Sequence, residues 1–378
     1  MKIVLDTRWI FPQISGIGLY TRELVRQFAQ IDRENAYTLL FDRPAVLERE
    51  AQETGFGAAP NFSARLVPYG IFAPAGQLRL PGLLAAAAAD VFHSPNYMIP
   101  FLAFPRGRRG RTACVVTIHD LIPLLFPHYT PRALKTRLLP LFRAIMRETG
   151  RRADAILTPS ASSRADVIRE LHVPESRHAR VVVTPEAADP RYRPAEQSAT
   201  GRTVLFVGRR DPYKNLPALV AAFAQVRRRV PEARLRVIGP ADARYPEAEQ
   251  AALAAGLGDA VEWQGYVNGE DLLRAYQQAA VFALPSRYEG FGLPVLEAMA
   301  CGAPVVCGNR SSLPEVAGAA ALLVDPDDEA GIADALVRVL SEPALAADLR
   351  RRGLARAAQF SWEQTARLTL AAYRAARG

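Results

Sequence analysis

Two doubly wound α/β domains are the architecture this sequence predicts. Three observations point there. Short, uniformly apolar runs alternate with helical patterns along the whole chain, as parallel strands covered on both faces require. The alternation restarts near residue 200, after a proline-rich stretch. The 378 residues also exceed the size at which a single core ordinarily stops growing.

Taken in order, the strand-like runs of the first half are 2–6, 37–41, 64–67, 91–93, 113–118, 155–158 and 180–183. Those of the second half are 203–207, 235–238, 261–263, 281–284, 304–307 and 321–324. Helical spacing fills most of the gaps, for example at 19–31, 216–230, 272–280 and 332–340. Residues 184–194 are proline-rich and 196–201 are polar, which reads as a linker. The expected boundaries are 1–195 and 196–361, with a last helix inside 362–378. In such sheets ligands sit beyond the carboxyl ends of the strands, at a crevice. Loops that follow strands are therefore where chemistry is expected.

Composition narrows the class. With 49% hydrophobic and 22% charged residues the chain has apolar material for two soluble cores. No run of about 18 apolar residues suggests a membrane-spanning helix. The opening MKIVLDTRWIFPQ reads as a first strand rather than a signal peptide, so a cytoplasmic location is expected. Cys114, Cys301 and Cys307 lie in apolar runs whose spacing fits neither a disulfide framework nor a zinc ribbon, which makes them buried thiols. The net charge is +9. The segment from Arg106 to Arg152 holds eleven Arg and Lys against Asp120 and Glu148, an excess equal to that of the whole chain. No aromatic-interleaved basic platform or recognition helix accompanies it, so nucleic acid is not the expected partner.

Three loops suit an anion. Gly16 and Gly18 precede a helical pattern, yet a third glycine is missing (position 21 is Thr21) and the loop before them is too long for a dinucleotide fingerprint. VGRRDPYKNLP, residues 207–217, joins a strand to a helix. There Asn215 can cap the helix and Pro217 suits its first turn, while Arg209 and Lys214 flank a place for a diphosphate. RYEGFGLPVLE, residues 287–297, places Glu289 before a glycine turn and Glu297 one turn into a helix begun at Pro294. The two carboxylates thus bracket an anion site instead of stacking as an acid/base pair.

These elements together resemble the retaining GT-B glycosyltransferases of family 4. The likeness spans nearly the whole chain through GIGLYTREL, DVFHSPNYMIP, TIHDLIPLLFP, ILTPSASSR, VGRRDPYKNL, RYPEAE, GYVNGEDLLRAY and YEGFGLPVLEAMACGAPVV. It leans toward the bacterial mannosyltransferase-like subgroup of surface-polysaccharide synthesis. The resemblance implies two Rossmann-like domains facing a central cleft, the first for acceptor and the second for donor, and a C-terminal helix crossing back to the first. It implies that Arg209 and Lys214 clamp the donor diphosphate and that Glu297 accepts hydrogen bonds from ribose hydroxyls. Glu289 would hold donor-sugar hydroxyls, with backbone support from Phe291, Gly292 and Leu293. Gly16 and Gly18 would let the N-terminal loop close over the phosphates. His119 would lie near the anomeric carbon and Val267 near the base.

The implied reaction is retaining transfer of a hexose from a nucleotide-diphosphate sugar to a saccharide or lipid-linked acceptor. GDP-mannose is the favoured donor, as a co-substrate with no separate cofactor. Arg209, Lys214 and helix N-termini can stabilise the leaving diphosphate. Asp325-Pro326-Asp327 follows a strand as a proline turn, so no metal site is expected. Double displacement wants a protein nucleophile, and no carboxylate is a convincing one. A front-face route, with the donor phosphate helping to deprotonate the acceptor, is the expectation, and His119 then positions rather than acts as base. A GT-B-like nucleotide-sugar epimerase and a non-catalytic sugar- or membrane-binding module are the alternatives. Finally, 131–152 carries Leu134, Leu138, Leu141, Phe142 and Ile145 on one helical face and Arg143, Arg147 and Arg151 opposite, with Pro140 splitting the helix. That pattern suits peripheral contact with an anionic membrane on its cytoplasmic face.

Overall fold

A computed structural model of the chain describes residues 1–107, 110–129, 134–196 and 201–378. Thirteen strands occur among them, each overlapping one of the expected runs. The first seven are β1 (Lys2–Leu5), β2 (Ala36–Phe41), β3 (Phe62–Leu66), β4 (Val91–Ser94), β5 (Ala113–Thr117), β6 (Ala155–Thr158) and β7 (Val181–Val183). They form one parallel sheet in the order β3-β2-β1-β4-β5-β6-β7. The remaining six are β8 (Thr203–Val207), β9 (Arg234–Ile238), β10 (Val261–Gln264), β11 (Val281–Leu284), β12 (Val305–Gly308) and β13 (Ala321–Val324). Their sheet runs β10-β9-β8-β11-β12-β13 and is also parallel throughout.

The burial of each strand follows its place. Central β4, β5, β6, β11 and β12 are buried at every residue, which is why they read as unbroken apolar runs. Edge strand β3 leaves four of its five residues exposed. The chain reverses direction across each sheet once. In the first this happens between β1 and β4, in the second between β8 and β11. In sheets of this kind ligands sit at that switch point.

The chain divides into two compact units. One comprises Met1–Leu124, Leu138–Glu186 and Trp362–Gly378; the other comprises Leu125–Arg137 and Ala187–Ser361. The last helix, Trp362–Arg377, belongs to the first unit, where Trp362, Thr365, Ala366, Thr369, Leu370 and Tyr373 are buried. All three cysteines are buried and free, and burial pushes the Cys301 and Cys307 thiols up to about 12. No helix among the described residues is long and apolar enough to cross a membrane.

The basic segment departs from its expected pattern. The helix is split, with pieces at Leu134–Arg137 and Leu139–Arg152, the second carrying Pro140 in its first turn. Its buried stripe is Phe142, Met146, Thr149 and Gly150, so the expected single apolar face is cut in two. Leu138 and Leu141 point to solvent, 49% and 58% exposed. Much of the positive charge is also spent locally, because Arg106, Arg151 and Arg152 all pair with Glu148. Arg108, Arg109 and Arg132, and the side chains of Leu134 and Lys135, lie outside the described residues.

The carboxyl edge of the second sheet depends on two glycines. A Cβ on Gly239, whose φ is +156°, would stand 1.9 Å from the carbonyl oxygen of Gly208. Those residues end β9 and β8, so their loops touch backbone to backbone. Gly239→Ala is expected to lower stability by about 2 kcal/mol or more through overpacking, as measured by urea unfolding.

Candidate active site

In the second unit, the loop after β8 begins at Gly208 and closes through a short turn, Pro212–Lys214. The loop after β11 runs from Pro285 into the Leu293–Ala300 helix. A backbone hydrogen bond from Arg287 N to Tyr213 O, 2.8 Å, ties the two loops. Across this junction Lys214 Nζ donates to both carboxylate oxygens of Glu289, at 2.7 and 2.9 Å. Both side chains are nearly buried, at 11% and 9% exposure. Ser286 Oγ donates to the same carboxylate at 2.6 Å, and Glu289 N donates to Ser311 Oγ at 2.8 Å. Separate reading of the two motifs gave Lys214 to phosphate and Glu289 to sugar; the fold couples them. The valence count leaves each with capacity, since an ammonium has three donors and a carboxylate about four acceptor sites.

The neighbouring residues differ in their exposure. Arg209 is exposed and pairs with Asp211 at 2.9 Å. Arg210, which sequence reasoning passed over, is buried over the Trp263 ring at 4.8 Å and paired with Glu249. Nothing in two adjacent arginines announces which one turns inward. Asn215 stands at the helix N-cap position but makes no capping bond. It adopts a left-handed backbone (φ 58°), and its amide donates instead to Pro326 O at 2.5 Å. This corrects the expected cap: the side chain fastens the β8 loop to the β13 loop. Asp325 and Asp327 of that loop are engaged by Arg310, and Asp327 also by Arg287.

Glu297 lies one turn into its helix, largely buried, and accepts from Tyr276 Oη at 2.7 Å. Phe291 packs inward, edge-on to Phe360 at 5.9 Å, so only its backbone faces the loop, and its carbonyl accepts from Ser312 Oγ. Gly292 (φ 102°) turns the chain into the helix, where a Cβ would meet Leu313 at 2.7 Å. Leu293 opens the helix and Pro294 falls in its first turn. Val267 sits half-buried in the loop after β10.

In the first unit the glycines are not a loop before a helix. The helix begins at Gly16, three residues earlier than the apolar spacing marks, because Ser15 caps it by accepting from Gly18 N at 3.3 Å. His119 follows β5. Its Nδ1 contacts Glu186 Oε1 at 2.9 Å and its Nε2 contacts Pro95 O at 3.1 Å. A carbonyl oxygen only accepts, so Nε2 carries a proton, and a carboxylate partner draws a second proton onto Nδ1. Burial alone would lower its pKa, yet the hydrogen bond and charge of Glu186 win, and the net direction is upward. Glu186 escaped the sequence reading because it sits in the proline-rich stretch taken for linker. The Tyr20 ring stands edge-on to His119 at 4.8 Å.

Comparison with known proteins fits this geometry. The family described as "Glycosyltransferase Family 4" matches residues 14–192, and "Glycosyl transferases group 1" matches residues 189–356. The chain is 33% identical to the O-antigen chain mannosyltransferase B of Escherichia coli, over 99% of this chain and 100% of that one. The chain belongs to the family 4 glycosyltransferases. A D-inositol 3-phosphate glycosyltransferase of Frankia alni is 30% identical over 95% of this glycosyltransferase and 94% of its own length. Among solved structures, the sucrose-phosphate synthase of Thermosynechococcus elongatus superposes with TM-score 0.76 at 22% identity, covering 99% of this chain and 98% of that one. Anabaena Alr3699/HepE in complex with UDP and glucose gives TM-score 0.74 at 19% identity, covering 98% of each. The fold is the GT-B fold of two Rossmann-like domains.

A histidine whose pKa is raised in the fold adds stability that is fully present below its ordinary value of 6.5 and is lost as pH rises through the raised value. His119 is therefore expected to titrate above 6.5 by NMR, and Glu186→Gln to bring it down. The stability cost of Glu186→Gln should shrink toward alkaline pH. Equal titration in both proteins would contradict the ion pair.

Proposed function

We propose that this glycosyltransferase moves a hexose, mannose first among the candidates, from a nucleotide-diphosphate sugar to a saccharide or lipid-linked acceptor in surface-polysaccharide synthesis, with retention at the anomeric carbon. The end-to-end likeness to an O-antigen chain mannosyltransferase supports the sugar and the pathway class. The observation that carries the chemistry is the Lys214–Glu289 pair at the switch point of the second sheet. In this reading the third ammonium proton of Lys214 meets a diphosphate oxygen, and the open acceptor site of Glu289 takes a hydroxyl of the donor sugar. Arg209, exposed on the same loop, swings its guanidinium from Asp211 to the phosphates. Amides near Gly292 and Leu293 add partial positive charge, and Glu297 receives the ribose.

Charge on the leaving diphosphate is thereby met by cations and amides, and the reading assigns no metal. His119 contributes position and charge. With both ring nitrogens occupied it offers no lone pair to an acceptor hydroxyl. That favours a front-face route in which a donor phosphate oxygen takes the acceptor proton.

Calorimetry against GDP-, UDP-, ADP- and dTDP-sugars tests the reading. One nucleotide sugar should bind, and Lys214→Ala and Glu289→Ala should each weaken it about tenfold or more, with the double variant little worse than either alone. Additive losses, or donor affinity untouched by Lys214→Ala and Glu297→Ala, would overturn the site assignment.

We further propose peripheral contact with anionic lipid through the Leu139–Arg152 helix, supported by exposed Leu138 and Leu141 beside exposed Arg143. The protein should sediment with phosphatidylglycerol vesicles at low salt and be released by salt, and Leu138→Ser with Leu141→Ser should abolish sedimentation. Failure to sediment at any salt would remove the membrane from the account.

A further inference from the structure

The motif GYVNGEDLLRAY, residues 265–276, ends in a tyrosine that the donor chemistry leaves unused. The helix Gly269–Gln278 starts where Asn268 accepts from Asp271 N at 2.8 Å, and its last turn delivers Tyr276 to the interior. That side chain is fully buried, and its hydroxyl donates to the Glu297 carboxylate at 2.7 Å. Glu297 comes from another helix, Leu293–Ala300, and is itself 8% exposed. Burial first, and the charge of Glu297 after it, push the Tyr276 hydroxyl far up, so it keeps the proton it donates.

The ring is held as well as the hydroxyl. Phe282 of β11 tilts against it at 5.6 Å, and Tyr192 stands edge-on to it at 5.6 Å. Tyr192 lies in the proline-rich stretch that reads as linker, yet from Ala187 onward that stretch belongs to the second unit. Its backbone N–H donates to Asp189 O at 2.9 Å, and Arg191 pairs with the buried Asp189 carboxylate at 2.7 Å. Gln277, the neighbour of Tyr276 on its helix, donates from Nε2 to Arg193 O at 2.8 Å and docks the stretch there. The docked stretch, the tyrosine and the carboxylate therefore form one continuous line within the second unit.

A glutamate side chain has several free torsions. A ligand that must order it loses binding energy in doing so, and a carboxylate ordered beforehand spares that loss. A phenol suits the task, because its single proton sits on a ring that cannot bend and engages one carboxylate oxygen. A carboxylate accepts at about four sites, so one such bond leaves it able to serve a diol. We propose that Tyr276 is the positioning residue of the nucleotide site: its hydroxyl holds Glu297 in the orientation that meets the ribose diol, and Tyr192 holds the Tyr276 ring. The proline-rich stretch is then part of the nucleotide site as well as a connection. The inference rests on the reading that Glu297 receives the ribose, and it names what makes that carboxylate ready.

Calorimetry of the full chain with GDP, UDP, ADP and dTDP, and with the 2′,3′-dideoxy form of each, tests this. The nucleotide that the wild type binds most tightly should bind Tyr276→Phe about tenfold more weakly, because the buried carboxylate loses its donor. Its dideoxy form, which has no ribose hydroxyl to offer Glu297, should bind both proteins equally. A merely structural tyrosine would move both forms together, since the phosphates and base would be misplaced as well. Tyr192→Ala should show the same selective loss, and it keeps the proposal testable should Tyr276→Phe fail to fold. An equal loss on both forms, or no loss, in either variant overturns the inference. Lys214→Ala separates the two readings. Binding that Lys214→Ala weakens but Tyr276→Phe leaves intact fails this inference alone, whereas a wild type that binds none of these nucleotides fails the proposed function and this inference with it.

Discussion

A buried ammonium and a buried carboxylate hold the working edge of the second sheet together. Lys214 comes from the loop after β8 and Glu289 from the loop after β11, the two strands between which the chain changes direction. Nothing covalent joins those loops nearby, so non-covalent contacts have to hold them. Two charges taken out of water are tolerated only when they meet with good geometry and their remaining valences are satisfied. Ser286 and the Arg287–Tyr213 backbone bond supply that support. The Asn215 amide then extends the fastening to the β13 loop. The crevice is thus built from polar bonds placed where apolar packing ends.

Much of this was legible in sequence, and the reason is physical. A parallel strand buried on both faces has to be apolar throughout, so the central runs stood out most plainly. Glycines that turn a strand into a helix, and prolines in first turns, marked the loops that matter. What the sequence did not carry is pairing across distance. Seventy-five residues separate Lys214 from Glu289, and no local pattern says that the same carboxylate must face that lysine. Glu186 was hidden for a related reason: its surroundings are prolines and polar residues, yet a histidine from another strand end buries it. Arg209 and Arg210 show the limit most plainly, since neighbours of one type take opposite orientations set by Trp263 and Glu249, residues far along the chain.

The two sheets solve the same placement problem with different chemistry. Both put their loops at a switch point. In the second, the crevice is walled by charge, which suits a ligand with a diphosphate. In the first, Arg8 is neutralised internally by Asp6, and Phe72 stands exposed against the buried Trp9. The contrast follows from a simple constraint, because an arginine already held by a bidentate carboxylate and two carbonyls has little left to offer a phosphate.

The C-terminal helix adds a further link within the first unit. Tyr373 Oη lies 2.6 Å from His93 Nδ1, His93 Nε2 lies 2.9 Å from Thr117 Oγ1, and Thr117 Oγ1 lies 3.0 Å from Tyr20 Oη. All four side chains are essentially buried. Burial drives the His93 pKa down to about 3, so the ring is neutral and carries one donor and one acceptor. A neutral imidazole between two hydroxyls passes a single direction of hydrogen bonding along the chain. Tyr20 stands at its end, edge-on to His119. The helix that closes the sequence therefore does more than cover apolar surface: through four buried polar groups it fixes the ring against which His119 rests.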